Sequence, residues 1–346
     1  MEMTQIDIKE RMQHYHVNGL SLSLIEDGQI SKNEHFGLLE KGSDKKVDNN
    51  TIFNACSISK FLTAILVMKL VEQNYLYLDE DVNNKLLSWK VPENHYTTIK
   101  KVTLRNLLCH QSGILDPEGS FIELKSMKDQ PTMDELLNGQ TSYCTIPIEV
   151  SYEPESAFHY SDAGFCIIQQ LIEDVTSKPF HLVMDELIFT PLHMKNSIFA
   201  TSIHESEEDT FACGHHKNGE LVSGKYPIYP YPAASGLWTS TADLAILVLE
   251  LMHALKGTSK IGISASHVKE LIHPQGGKEW TGLGVFLDDL QQELEISSLG
   301  WGVGFQCMLV AYPYLEKGLV IMTNTDFGAH QMEGIIGDIY RSLIRS

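Results

Sequence analysis

The stretch Phe53-Asn54-Ala55-Cys56-Ser57-Ile58-Ser59-Lys60-Phe61-Leu62 decides how this chain is read. It sets a serine and a lysine three residues apart at the expected start of a strongly apolar helix, running from Ser57 to about Gln73. Residues three apart on a helix share a face. Ser57 in the first turn meets the positive end of the helix dipole. Lys60, among Phe61, Leu62, Ile65 and Leu66, is expected to be partly desolvated, and burial lowers a lysine pKa by penalising the charged form. A neutral amine beside a hydroxyl is a general base beside a nucleophile. The plain alternative is a helix cap with a surface lysine.

Spacing alone does not separate the two. Ser-x-x-Lys occurs at Ser43 to Lys46, Ser57 to Lys60 and Ser266 to Lys269. The first lies in a polar loop, and the third reads as an ordinary surface helix. Only Ser57 has an apolar helix behind it and a strand-like segment, Thr51-Ile52-Phe53, in front.

Composition narrows the classes. A chain of 346 residues with 43% apolar content allows one large or two intimate domains with a substantial core. The net charge is −19 and no run of Lys and Arg stands out, which argues against nucleic acid and an acidic membrane surface as partners. No segment approaches 18 consecutive apolar residues, so no membrane span is expected. The N-terminus lacks a basic region followed by an apolar one, so a cytoplasmic location and six reduced cysteines are expected.

Along the chain, residues 4–16 read as an amphipathic helix. Residues 20–25 and 30–38 read as strands joined by Glu26-Asp27-Gly28, a hairpin signal. Residues 76–230 are mostly helical or irregular. They include short helices after Thr103 and at 133–137, a helix at 163–175, and one at 180–189 stopped by Pro191. Thr239-Ser240-Thr241 caps a helix at 242–255. Strand-like runs follow at 283–287, 305–311 and 318–323, then a C-terminal helix at 332–344. The expected fold class is α+β: an antiparallel sheet built from both chain ends, flanked by helices, with a mostly helical insertion. Residues 1–75 plus 231–346 form the sheet region and 76–230 the helical one, with the site in the cleft between them.

Several motifs come close and fail. Gly219 to Tyr226 nearly spells a phosphate loop, but Tyr226 and Pro227 replace the hydroxyl and the helix. Asp79-Glu80-Asp81 opens like a calcium loop, but Asn84 and Lys90 stand at its sixth and twelfth positions. Cys213-Gly214-His215-His216 lacks a partner pair and reads as a surface loop. No Gly-x-Ser-x-Gly elbow is present.

Two further stretches bear on Ser57. His159-Tyr160-Ser161-Asp162-Ala163-Gly164 stands at a helix entry. A tyrosine there is ordinarily core or rim, or its hydroxyl near Lys60 relays a proton to a leaving group. Ser298-Leu299-Gly300-Trp301-Gly302-Val303-Gly304-Phe305 places three glycines in alternation within a strand pattern. Such glycines mark a bulge or the close approach of another backbone or a ligand. A strand without side-chain bulk can aim an N–H at a carbonyl oxygen beside that of Ser57.

This order resembles the serine β-lactamase and penicillin-binding-protein superfamily, in particular the class C β-lactamase-like group with its family VIII esterases and D-amino-acid-directed peptidases. The likeness extends to Val102-Thr103-Leu104-Arg105-Asn106-Leu107-Leu108-Cys109-His110-Gln111-Ser112-Gly113, Pro191-Leu192-His193-Met194, Ser235-Gly236-Leu237-Trp238 and Gly318-Leu319-Val320-Ile321. It implies a β-lactamase/transpeptidase-like fold and an acyl-enzyme on Ser57. Lys60 and Tyr160 would be its proton-transfer partners, and the N–H groups of Ser57 and Trp301 its oxyanion hole. No metal or organic cofactor is implied. Asp162 stands where the group usually has Asn, and Ser298 where it usually has Lys or His. Asp162 would hold Lys60 protonated or bind a cationic substrate group. Ser298, beside Gly300 in the substrate-binding strand, offers no cation to a substrate carboxylate.

The function expected is a serine hydrolase of the esterase or peptidase type, acting on a small-molecule or short-peptide substrate, with weak or no β-lactam turnover. The alternative is a non-catalytic relative that binds a peptide or cell-wall ligand.

Overall fold

The computed structural model describes residues 6–124, 130–204, 207, 209–290 and 293–344. The chain opens with α1 (Ile8–Tyr15), whose cap Asp7 accepts from the Glu10 N–H. The strands β1 (Gly19–Glu26) and β2 (Gln29–Gly37) follow. Asp27 and Gly28 both adopt positive φ, 50° and 70°, as a tight hairpin turn with right-handed twist demands. The short β3 (Phe53–Asn54) leads into α2 (Ile58–Glu72). Twelve of its fifteen residues are buried, so it is a helix packed on nearly all sides, at the centre of the molecule.

The middle of the chain carries α3 (His95–Ile99), α4 (Leu104–Leu108), α5 (Met133–Leu137) and α6 (Asp162–Thr176). It continues with α7 (Phe180–Met184), a π-helical turn (Asp185–Phe189) and α8 (Thr190–Leu192). Pro191 therefore does not stop this helix. It lies inside a continuous right-handed run, with Phe189 and Thr190 at φ −64° and −63°, and the left-handed His193 makes the end. Next come β4 (Ile198–Phe199), β5 (His215–His216), α9 (Pro232–Ser235), β6 (Leu237–Thr239), α10 (Thr241–Leu255) and α11 (Ala265–Leu271). The chain closes with β7 (Phe286–Leu290), β8 (Glu293–Gly302), β9 (Phe305–Tyr312), β10 (Lys317–Thr323), β11 (Thr325–Asp326) and α12 (Ile335–Leu343).

The main sheet is antiparallel with order β2-β1-β10-β9-β8-β7, so both ends of the sequence build it. Side chains alternate between two cores, as a strand's two-residue period requires. Leu20, Leu22, Met308, Val310, Leu319 and Ile321 pack under α1 and α12. Cys307, Leu309, Ala311, Val320 and Met322 join the larger core around α2.

Two further sequence expectations need correction. Four late strands join the sheet, not three, because Glu293–Gly302 is a full strand. Its buried positions are Glu295, Ile296, Ser298 and Gly300, of which only Ile296 is a branched apolar residue, so its pattern is weak. Glu295 is held there by the hydroxyls of Tyr312 and Tyr340. Cys213-Gly214-His215-His216 is also not a surface loop. Cys213 and His215 are buried, and His215 Nε2 accepts from the Lys41 N–H at 3.1 Å.

Candidate active site

The approach to Ser57 is rigidly defined. β3 pairs with β6, Phe53 facing Thr239. Asn54 Oδ1 accepts from the Cys56 N–H at 2.8 Å, and Asn54 Nδ2 donates to the Pro227 carbonyl at 2.9 Å. Cys56 takes φ 48°, a left-handed conformation costly for a residue with a side chain and concentrated at functional turns. That kink delivers Ser57 to the first turn of α2. Its side chain makes no capping bond, so the helix-cap alternative fails. Its oxygen lies 3.3 Å from Lys60 Nζ instead.

Lys60 is buried, with 3% of its side chain exposed. Its three ammonium protons have three oxygen partners: Ser57 Oγ, Asp162 Oδ1 at 2.5 Å and the Ala234 carbonyl at 2.9 Å. The rings of Tyr160 and Phe165 lie 4.8 and 5.6 Å from Nζ. Burial alone would push the amine down, but the Asp162 carboxylate and Tyr160 outweigh it and raise its pKa above the ordinary lysine value. The expectation of a lysine lowered by desolvation is thereby corrected. Asp162 supplies the charge that reverses it.

Tyr160 and Asp162 flank Ser161, the cap of α6. Ser161 Oγ accepts from the Gly164 N–H at 3.0 Å and donates to Asp116 at 2.8 Å. Asp116 also accepts the N–H groups of Asp162 and Ala163, at 2.8 and 2.9 Å. One carboxylate thus holds the first turn of α6. Burial nevertheless pushes the Asp116 pKa up, with the Asp162 charge adding to the effect. His110 supports Tyr160 from below, its ring stacked at 4.3 Å. Its Nδ1 accepts from the Ser161 N–H at 3.1 Å. Burial and then Lys60 lower its pKa to about 3, so the imidazole is neutral. Burial raises the Tyr160 phenol, and Lys60 opposes this, so its resting form is the protonated one.

The glycine-rich strand crosses in front of the β3–α2 turn. A Cβ on Gly300 would collide with the Ala55 carbonyl and Cys307 Sγ. One on Gly302 would stand 2.6 Å from the Tyr229 hydroxyl and 2.7 Å from Cys56 Sγ. Close approach, rather than a bulge, accounts for both glycines. β7 pairs with β8 only from Glu293 to Ser297, so the stretch beyond Ser297 has lost its outer neighbour in the sheet. The Tyr229 hydroxyl accepts from the Val303 N–H at 3.0 Å and braces the turn after β8. The Trp301 ring is 46% exposed, its indole N–H donating to Asp326 at 2.9 Å.

Ser57, Lys60, Tyr160 and Ser298 line one narrow crevice together with His110 and Phe286. Asp162 reaches it through Lys60. Gly300 and Trp301 pass beside the turn that carries Ser57. A larger cavity of about 560 Å³ between α1 and β2, lined by Met12, His16, Phe36 and Lys41, brings no nucleophile and base together. His110, Asp116, Phe165 and Tyr229 were not singled out from sequence. His110 lies inside a motif quoted above, whereas nothing in the sequence marks Asp116.

The beta-lactamase family model matches residues 7–336. The chain belongs to the beta-lactamase family. Curated relatives include Protein flp of Staphylococcus aureus (strain MRSA252), 24% identical over 245 residues, 69% of this chain and 47% of that protein. Another is the teichoic acid D-alanine hydrolase of the same strain, 24% identical over 275 residues, 79% of this chain and 62% of that protein. The chain spans about half the length of the first of these. Among solved structures, the octameric penicillin-binding protein homologue from Pyrococcus abyssi superposes with a TM-score of 0.77 at 23% identity, covering 95% of this chain and 74% of that one. The fold is that of the β-lactamase and penicillin-binding-protein superfamily. Among the described residues no helix is long and apolar enough to cross a membrane.

Proposed function

We propose that this protein is a serine hydrolase that forms an acyl-enzyme on Ser57 with a small ester or amide. The observation that carries the reading is the 3.3 Å contact between Ser57 Oγ and Lys60 Nζ, roofed by the Tyr160 ring. In the reaction, Ser57 Oγ attacks the substrate carbonyl and its proton passes to Lys60 or Tyr160. Tyr160 then returns a proton to the leaving group. The N–H groups of Ser57 and Trp301 would receive the oxyanion, and losing one such donor typically lowers the rate about 10²- to 10³-fold. With Lys60 held protonated by Asp162, the base form is scarce at neutral pH and turnover rises with pH.

Among the described residues no unpaired cation lines the crevice, and Ser298 stands on the strand where a lysine or histidine would meet a substrate carboxylate. A charge-assisted bond contributes about 1.5–3 kcal/mol, so β-lactams and other carboxylates bind poorly and neutral esters or amides do better. The relative named teichoic acid D-alanine hydrolase places D-alanyl compounds in the substrate panel. Intact-mass analysis after a fluorophosphonate probe, wild type against Ser57→Ala, tests the reading. A Ser57-dependent adduct is expected. Its absence would favour the second reading, a non-catalytic module binding a peptide or cell-wall ligand, for which the Asp162 clamp on Lys60 is the specific support.

A further inference from the structure

We propose that Phe286, Trp280 and Phe158 form an aromatic wall that receives an apolar arm of the substrate. The inference rests on the reading of Ser57 as nucleophile and names the class of substrate this site would take, a neutral ester or amide carrying an aryl or alkyl group. Space decides first. The crevice beside Ser57 leaves about 20 Å³ for the centres of water-sized groups, and a single water already needs roughly 10–15 Å³ of such space. An arm longer than a methyl group therefore lies on the rim rather than in the crevice.

The rim is aromatic. It starts at Phe286, which lines the crevice with Ser57 and Tyr160. The Trp280 ring stands 6.4 Å from Phe286 at an interplanar angle of 25° and meets Phe158 edge-to-face at 4.4 Å. Phe158 in turn lies 5.6 Å from His110, whose ring stacks on Tyr160 at 4.3 Å. An unbroken run of rings thus leads from Tyr160 round to Phe286. Phe158 belongs to the segment before α6 and Trp280 to the segment before β7, so two distant parts of the chain meet in it.

Trp280 is 44% exposed, although a tryptophan on average buries most of its ring. Its backbone is nevertheless fixed. The Trp280 carbonyl accepts from the Leu287 N–H at 2.9 Å, and Thr281 pairs with Phe286. The preceding turn bends at Gly276 and Gly277, φ 57° and 72°, and Gln111 Nε2 donates to the Gln275 carbonyl beside it at 3.1 Å. A ring already in place loses little conformational freedom when a ligand covers it. Phe158, Trp280 and Phe286 carry no charge, so what they favour is an uncharged apolar arm, removed from water against their faces.

The test reads selectivity and binding separately, on the purified full chain. For selectivity, kcat/KM is compared for p-nitrophenyl hexanoate against p-nitrophenyl acetate, and for benzyl acetate against methyl acetate. In wild type the larger arm is expected to win about tenfold in at least one pair, as for four methylenes each half removed from water. In Trp280→Ala that ratio should fall below about threefold. Trp280→Phe, which keeps a ring, should fall between the two and serves if the alanine variant does not fold. For binding, Ser57→Ala is titrated with p-nitrophenyl hexanoate, which should quench indole fluorescence. Adding Trp280→Phe in that background should remove most of the quench, which separates Trp280 from the exposed Trp301. The proposal is overturned if an active wild type prefers neither larger arm, if the preference survives in Trp280→Ala, or if no Trp280-dependent quench appears. A wild type that hydrolyses no ester and gains no adduct on Ser57, yet shows the Trp280-dependent quench, fails as a nucleophile while the wall stands.

Discussion

Replacing Asp162 by asparagine should make the enzyme faster near neutral pH. Asp162 Oδ1 lies 2.5 Å from Lys60 Nζ, with 23% of the Asp162 side chain exposed. Two unit charges about 4 Å apart at an effective dielectric near 20 attract by about 4 kcal/mol, or about three pKa units at 1.36 kcal/mol each. Partial solvation of Asp162 reduces this, and about two units is a moderate figure. An ordinary lysine is about one part in 250 neutral at about pH 8, and the Asp162 carboxylate makes Lys60 scarcer still as a base. Asparagine keeps an oxygen for Lys60 but carries no charge. Burial, the largest influence on Lys60, then acts with much less opposition and lowers its pKa. The neutral fraction rises about 100-fold. Part of that gain is offset because a weaker base removes the proton less readily. The expected result is a kcat/KM for p-nitrophenyl acetate at least about tenfold higher at about pH 8, with the rising limb of the pH profile displaced about two units to lower pH. An unchanged profile, or activity lower at every pH, would refute the reasoning and make Asp162 a member of the proton path rather than a restraint on Lys60.

Asp116→Ala removes the acceptor for three donors at the start of α6. It should destabilise the fold by about 1–2 kcal/mol, as loss of a cap does, and lower kcat more than it raises KM, read by urea unfolding and steady-state kinetics. Gly300→Ala drives a methyl into the Ala55 carbonyl and Cys307. Overpacking typically costs about 1–3 kcal/mol, and here it displaces the Ser57 turn, so thermal melting and probe labelling should both decline. Glu72 is held at about 2 by the Ser264 hydroxyl and N–H, with His267 assisting. A carboxylate depressed in the folded state stabilises above its ordinary pKa and loses that contribution as pH falls toward the depressed value. Wild type should therefore melt above Glu72→Gln near neutral pH, and the gap should close between about pH 4.5 and 2. A gap that widens on acidification would contradict the assignment.

What the sequence disclosed, and what it hid, divides along the range of the interactions involved. The hairpin at Asp27-Gly28 and the apolar length of α2 are local, and both follow from neighbouring residues. Ser57 and Lys60 belong to one helical turn, so their pairing is also local. Tyr160 and Asp162 come from a second element, and only the order of motifs linked them to Ser57. Nothing local could give the sign of the charge balance. An apolar helix around Lys60 argues for a lowered pKa, and that reasoning is sound for burial by itself. The carboxylate that reverses it arrives from 102 residues away, on a helix start held by Asp116. The same limit hid β8. Its buried Glu295, Ser298 and Gly300 are tolerable only because Tyr312, Tyr340, the crevice and the Ala55 carbonyl stand opposite them. In each case the residue type that breaks a local rule is explained by a contact across the cleft or the sheet. Asp162 sets the charge on Lys60 and Ser298 lines the crevice beside it, so substitutions at these two positions probe the chemistry more sharply than substitutions at Ser57.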